Sequence, residues 1–222
     1  MLINNLIYII IKDKFLGFLD TGGISTFLFR NYELSKELGY KFIENKDLDY
    51  LDKKVILFIG NDYWKNKIYL FNYIDKKFEF ISRIPKNLNS YKMIKNKHNF
   101  CIVEVLFEDI KEKFLFDTGA TLIRNNKNYA ISFLDGIIFD KLVKKYKVIP
   151  NYDSDGSPCI IIKKIIIFDK IIRNVKFLRR NDNNFIKWFS QITGVKHIGA
   201  IGGNILKKFK LVADFKNELF YI

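Results

Sequence analysis

Asp20-Thr21-Gly22 and Asp117-Thr118-Gly119 are the residues of this chain with the clearest capacity for chemistry. Each tripeptide follows an apolar run, Phe18-Leu19 in one case and Leu115-Phe116 in the other. One Asp-Thr-Gly is a common turn. Two of them, 97 residues apart and each fed by a strand-like run, predict two related halves that contribute one carboxylate each. Carboxylates a few ångströms apart cannot both ionise comfortably, so they share a proton and their apparent pKa values split. The ionised member takes a proton from a water while the protonated member donates to a carbonyl oxygen. Such a pair requires no covalent intermediate, no metal and no cofactor.

The elements that must position these residues are also repeated. Upstream, LIYIII-KDK-FLGFLDTG parallels CIVEVLF-EDIKE-KFLFDTG, each a hairpin whose second arm delivers the Asp. Downstream, Val55–Trp64 (VILFIGNDYW) and Ile198–Leu206 (IGAIGGNIL) both run apolar, apolar, Gly. Each is followed by a basic stretch, an alternating strand, a turn with Lys and a final aromatic strand. Three landmarks in the same order twice mark an internal duplication, which is weighed before any other fold reading. Taken singly, Asp20 and Asp117 read as turn or capping aspartates and Thr21 and Thr118 as strand-end residues. The ordered repeat favours the chemical reading.

With these motifs the chain resembles the aspartic proteases, in their pepsin-like and retropepsin-like forms. DTGGISTFLFRNYELSKELGYKF looks like the catalytic loop with its following short helix, and VILFIGNDYW is similar to the closing motif of a lobe. DTGAT and AIGGNILKKFKLVADFKNELFYI match the same landmarks in the second half. The resemblance implies a mostly-β, bilobal acid-protease fold of two pseudo-twofold-related retropepsin-like lobes, the first reduced. It implies an N-terminal lobe over 1–85, a linker over 86–98 and a C-terminal lobe over 99–222. It further implies an aspartic endopeptidase with Asp20 and Asp117 catalytic, and a peptide or protein as substrate. Thr21 and Thr118 would hydrogen-bond across the junction, as their family equivalents do. Gly22 and Gly119 would allow a tight turn and leave room for the water. Ile59-Gly60 and Ile201-Gly202 would pack beneath the loops.

Gly22 and Gly60 are 38 residues apart, whereas Gly119 and Gly202 are 83 apart. The first half is therefore expected to lack the hairpin flap that closes over substrate in this family. The second half offers one around Tyr152, Asp155, Gly156 and Ser157, where turn formers are flanked by strand-like runs. Tyr152 reads equally as an exposed loop aromatic. A non-catalytic scaffold of the same fold, binding a peptide or partner, is the competing function. The family often places a Ser or Thr after the tripeptide, where it donates to the carboxylate. Here those positions are Gly23 and Ala120, so the dyad is expected to titrate higher, with an optimum toward weakly acidic or near-neutral pH.

The remaining residues set bounds. The 222 residues can bury one sizeable core or two small ones. Lys plus Arg number 38 against 24 Asp plus Glu, a net charge of +14. The lysines are scattered through turns and strand edges, so they read as a solvated surface, and no nucleic-acid partner is expected. Leu6–Ile11 is only six residues long and is interrupted by Lys12-Asp13-Lys14, short of a secretory signal. No apolar stretch approaches the ~20 residues of a membrane span. A cytoplasmic monomer without membrane contact is expected, with Cys101 and Cys159 as buried thiols. Helices are predicted over Tyr32 to Leu38, Phe133 to Tyr146 and Asn184 to Thr193. Trp64 and Trp188 read as core or interface packing. His98 and His197 are too far apart, with no ligand-spaced companions, to suggest a metal site.

Overall fold

In the computed structural model, the protein is mostly β with few helices, and residues 1–222 are described apart from positions 50, 95, 97, 99, 108–109, 125–126, 154–155 and 182–184. The chain begins with three antiparallel strands, β1 (Leu2–Ile3), β2 (Leu6–Ile11) and β3 (Phe15–Leu19). The first turn is Asn4-Asn5, both at positive φ (51° and 63°), a conformation that Asn tolerates. After Asp20, β4 (Phe27–Leu28) leads into α1 (Tyr32–Leu38). Asn31 caps that helix through the Leu34 amide at 3.1 Å, and Gly39 closes it at φ 71°. Then β5 (Val55–Ile59) returns parallel to β3, with Phe18 opposite Phe58 and Leu19 opposite Ile59. A parallel neighbour needs a long crossover, which the α1 segment supplies. Every residue of β5 is buried, because β3 and β4 flank it on either side. The hairpin β6 (Ile68–Asn72) and β7 (Lys77–Phe80) completes this half.

Within the 86–98 segment, Ser90–Lys92 forms a short strand, β8. A second hairpin, β9 (Ile102–Phe107) and β10 (Ile110–Phe116), then leads to Asp117. It is followed by a separate hairpin, β11 (Thr121–Arg124) with β12 (Lys127–Ala130), and by β13 (Phe133–Leu134). The helix predicted to start at Phe133 starts at Gly136 instead: α2 is Gly136–Tyr146. Asp135 caps it through the Ile137 and Ile138 amides, while Phe133 is held in β pairing by Ala200 and Leu178. Next come β14 (Asn151–Tyr152), β15 (Pro158–Ile167) and β16 (Lys170–Arg179). The Ile- and Lys-rich tract is thus one long hairpin turning at Phe168-Asp169. After α3 (Phe185–Thr193), β17 (Gly199–Ile201) lies parallel to β10 and antiparallel to β13. The ring β15-β16-β13-β17-β10-β9 closes through pairing of β15 with β9, forming a β-barrel among the described residues.

The chain ends in α4 (Gly203–Leu206), β18 (Lys210–Asp214) and β19 (Leu219–Tyr221). These last strands join the halves: the sheet order is β7-β6-β18-β19-β8. Trp64, fully buried, packs at this sheet against Tyr69 (ring centroids 4.9 Å apart) and Phe215 (5.8 Å). Aromatic contacts of this type contribute about 0.5–1.5 kcal/mol each beyond area burial. Trp188, expected to be packed, is instead 47% exposed on α3; Phe189 occupies the buried side of that helix. Cys101 and Cys159 are buried thiols, with Cys101 Sγ 3.1 Å from Met93 Sδ. No helix among the described residues is long and apolar enough to cross a membrane.

Candidate active site

Each aspartate sits one residue beyond the end of a buried strand, pinned by the strand parallel to it. The Asp20 amide donates to the Ile59 carbonyl at 2.9 Å and the Asp117 amide to the Ile201 carbonyl at 3.0 Å. Parallel pairing of β3 with β5 and of β10 with β17 therefore does the same work twice. Behind the aspartates, the two threonines are joined. The Thr21 amide donates to Thr118 Oγ1 at 3.1 Å, and the Thr118 amide donates to Thr21 Oγ1 at 3.0 Å. Each hydroxyl then donates onward, Thr21 to the Phe116 carbonyl (2.6 Å) and Thr118 to the Leu19 carbonyl (3.0 Å). Both threonines are fully buried, so these four bonds satisfy every polar group on the two side chains and fix the spacing of the loops.

Each carboxyl lies against the glycine of the opposite loop, close enough for the two to act on each other. Asp20 Oδ1 accepts from the Gly22 amide (2.7 Å), and Asp117 Oδ1 from the Gly119 amide (2.9 Å). The glycines are required by the opposite loop. A Cβ on Gly22 would lie 2.7 Å from the Asp117 carboxyl carbon, and one on Gly119 would run into the Asp20 carboxyl. Burial pushes both carboxyls above the usual carboxylate range, and the neighbouring charge of Asp117 raises Asp20 further. Asp117 is raised less, because the Asp20 hydrogen bond, the Gly119 amide and the Arg180 guanidinium favour its ionised form. The pair therefore holds on to a proton above the usual carboxylate range.

The pair lies at the base of a cleft of about 450 Å³ lined by Ala120, Thr121, Leu122, Ile131, Phe133 and the run Leu178-Arg179-Arg180. Of the flap residues expected from the sequence, Ser157 reaches this cleft. Tyr152, 71% exposed, does not line it, and Gly156 occupies the turn at φ 81°. Asp155 lies outside the described residues. The β14–β15 pairing is short, Asn151 with Cys159 and Tyr152 with Pro158. His197 is buried with Nδ1 3.2 Å from the Val195 carbonyl, and burial lowers its pKa.

Two supporting residues were missed in the sequence. Thr26 Oγ1 accepts from the Gly60 amide (3.1 Å), and Ser132 Oγ accepts from the Gly202 amide (2.9 Å). Each hydroxyl thus holds the glycine that follows the strand behind an aspartate. The signal was present as Thr26-Phe27-Leu28 and Ser132-Phe133-Leu134, a hydroxyl residue followed by Phe-Leu. Phe58 closes the space above Gly23: a Cβ there would collide with its ring. The absence of a hydroxyl after the first tripeptide therefore follows from packing.

No protein-family profile and no curated protein matches this chain. Solved structures that match include the crystal structure of a retropepsin-like aspartic protease from Rickettsia conorii, with TM-score 0.39 and 16% identity, over 64% of this chain and 96% of that one. Similarity of this degree carries no functional weight.

Proposed function

We propose that this chain is an aspartic endopeptidase in which two pseudo-twofold-related lobes, 1–85 and 99–222, each supply one carboxyl. The observation that carries this reading is the pair of buried threonines, hydrogen-bonded across 97 residues of sequence, which tie together the loops carrying Asp20 and Asp117, both of which line one cleft. A structural role for two turn aspartates needs no such apposition, since burying two like acids together is costly unless they share a proton.

In this mechanism Asp117 is the base and Asp20 the acid. Asp117 takes a proton from a water whose oxygen forms a bond to the peptide carbonyl carbon, while Asp20 gives its proton to the carbonyl oxygen. The tetrahedral diol then collapses: the C–N bond breaks as the amide nitrogen takes a proton from the dyad, and the second hydroxyl proton returns to it. The Thr21–Thr118 lock and the Gly22 and Gly119 amides keep both carboxyls in place through the cycle, so little reorganisation is needed at the moment of reaction. In this reading the hairpin of the second half would meet substrate at Ser157, which lines the cleft.

Incubation with casein tests the proposal. The wild type cleaves it, a statine-type transition-state inhibitor stops the cleavage, and Asp20→Asn or Asp117→Asn alone removes it with the fold unchanged. Residual activity in either variant above a small fraction of wild type contradicts a shared dyad. Inhibitor binding without any cleavage favours the alternative, a non-catalytic peptide-binding scaffold.

A further inference from the structure

The end of α2 carries exposed side chains that neither the core nor the cleft uses. Along this helix Phe139 is buried, and Ile138, Leu142 and Val143 pack against the core. Lys141, Lys144 and Lys145 lie on its exposed side, and Lys147 follows them. The turn beyond is rich in apolar side chains yet faces solvent: Tyr146 and Val148 are exposed, Ile149 is 90% exposed and Tyr152 71%. Ile149 is the most exposed large hydrophobic residue of those described. One exposed apolar residue is ordinary. Four between positions 146 and 152 form a patch of the kind that marks an interaction surface.

The backbone holds this patch out. Lys147 is left-handed at φ 49°; its amide donates to the Lys144 carbonyl at 3.3 Å, and the Val148 amide donates to the Val143 carbonyl at 3.2 Å. That pattern stops a helix, and Pro150 keeps it from resuming. At the far end Asn151 pairs with Cys159 and Tyr152 with Pro158, so the turn is anchored on both sides. Side chains displayed by such a frame need little further ordering on binding.

The lysines identify what the patch fits. Among the described residues, none of Lys141, Lys144, Lys145 and Lys147 forms a salt bridge. Asp140 has both oxygens taken by Arg179, at 3.0 and 2.9 Å, and feels Lys144 only at longer range. Asp153 is held by Lys176 at 2.7 Å. Lys145 rests 5.1 Å from the centroid of the Tyr146 ring, which keeps its charge beside the patch. Positive charge bordering exposed apolar and tyrosine side chains matches an anionic bilayer, which offers charged headgroups at its surface and apolar chains beneath. Tyrosine suits that boundary, with its ring in the apolar layer and its hydroxyl in the polar one. A soluble polyanion would satisfy the lysines and give Ile149 no partner. Docking of this kind needs no spanning segment, so the lack of one in the sequence does not bear on it.

We propose that the end of α2 and the turn beyond it are a docking surface for an anionic lipid bilayer: Val148, Ile149 and Tyr152 enter the interface, and Lys144, Lys145 and Lys147 meet the headgroups. The proposal stands independently of proteolysis. Because the β14–β15 hairpin that anchors the turn also brings Ser157 to the dyad cleft, docking sets that cleft beside the lipid surface.

Co-sedimentation of the full chain with vesicles tests this. Vesicles of phosphatidylcholine alone are compared with phosphatidylcholine–phosphatidylserine mixtures at about 0.15 M salt, so that distant charges are screened. The wild type is expected to partition onto the mixed vesicles and not onto the neutral ones. Lys144→Gln, Lys145→Gln and Lys147→Gln together should weaken partitioning on the order of a hundredfold, roughly fivefold per lysine. Ile149→Ser, which leaves the charge unchanged, should weaken it on the order of tenfold. A control triple at exposed lysines elsewhere, Lys53→Gln, Lys54→Gln and Lys65→Gln, removes the same net charge and should weaken it far less. Heparin binding is measured in parallel, and thermal melts check the folding of each variant. No partitioning onto mixed vesicles, or equal partitioning onto neutral ones, overturns the proposal. So does a control triple as damaging as the triple at the turn, which would assign binding to net charge alone. Heparin binding lost in the triple at the turn, with vesicle binding indifferent to Ile149→Ser, would make this a polyanion site and overturns the bilayer.

Discussion

Replacing Thr118 by Val removes one hydroxyl and keeps the shape of the side chain. In the native protein that hydroxyl accepts from the Thr21 amide at 3.1 Å and donates to the Leu19 carbonyl at 3.0 Å, both within a fully buried junction. Val leaves a buried N–H without an acceptor and a buried carbonyl without this donor. An orphaned buried polar group costs about 1–3 kcal/mol, and the carbonyl, with a second lone pair, falls at the low end of that range. The expected loss is roughly 2–4 kcal/mol of folding stability. Urea unfolding measures it as a lower midpoint at unchanged slope. Thr118→Ser keeps the hydroxyl and loses only a methyl, so it should cost about 1 kcal/mol. Val should also reduce kcat, since the loop carrying Asp117 is no longer tied to the loop carrying Asp20. Val within about 0.5 kcal/mol of wild type, the scatter of ordinary surface substitutions, or Ser as damaging as Val, would refute the hydrogen-bonded lock.

Other outcomes follow from the same geometry. Ser132→Ala orphans the buried Gly202 amide and should destabilise by about 1–3 kcal/mol, while Thr26→Ala, at a half-buried site, should cost less; urea midpoints of both variants check this. Because Asp20 titrates well above its ordinary value of 3.8, the folded state holds a proton that the unfolded state has lost. Stability is then fullest below that value and falls as pH rises toward the folded pKa, by up to about 1.4 kcal/mol per pH unit. Asp20→Asn should flatten this decline in a series of melts from pH 4 to 8; an unchanged slope would contradict the shared proton. A pH–rate profile of the wild type should peak at weakly acidic to near-neutral pH, and Ala120→Ser, which adds a donor beside Asp117, should move the peak lower. Gly23→Ser should instead lower the thermal midpoint, because its Cβ meets the Phe58 ring.

The two Asp-Thr-Gly loops were legible in the sequence because the duplication repeats them in the same local setting. Asp-Thr-Gly admits little substitution when the Asp must titrate, the Thr must bridge and the Gly must clear the opposite carboxyl. The hydroxyls of Thr26 and Ser132 escaped notice for two reasons. Thr and Ser substitute for each other in accepting one amide hydrogen, and they lie six and fifteen residues after their aspartates. The β11–β12 hairpin accounts for the longer spacing. The start of α2 was misplaced because Phe133 fits a helical apolar face as well as a strand, and only its pairing with Ala200 and Leu178 decides between them. Ser90–Lys92 has no strand signature of its own and becomes one by pairing with Leu219–Tyr221. Arg180, next to Arg179 and Asn181, has the look of a surface turn; its place in the cleft comes from the Leu134 carbonyl and the Phe133 ring.

Under the proposed mechanism Asp20 and Asp117 act as one acid–base unit. Carbon-13 NMR of labelled aspartate carboxyls, titrated with pH and assigned through Asp20→Asn and Asp117→Asn, tests it most directly. In such a unit one carboxyl stays protonated well above 3.8 after the other has ionised. Replacing Asp117 by Asn is expected to lower the Asp20 pKa, as the repelling charge is removed. Two carboxyls titrating independently near 3.8, each indifferent to loss of the other, would contradict it.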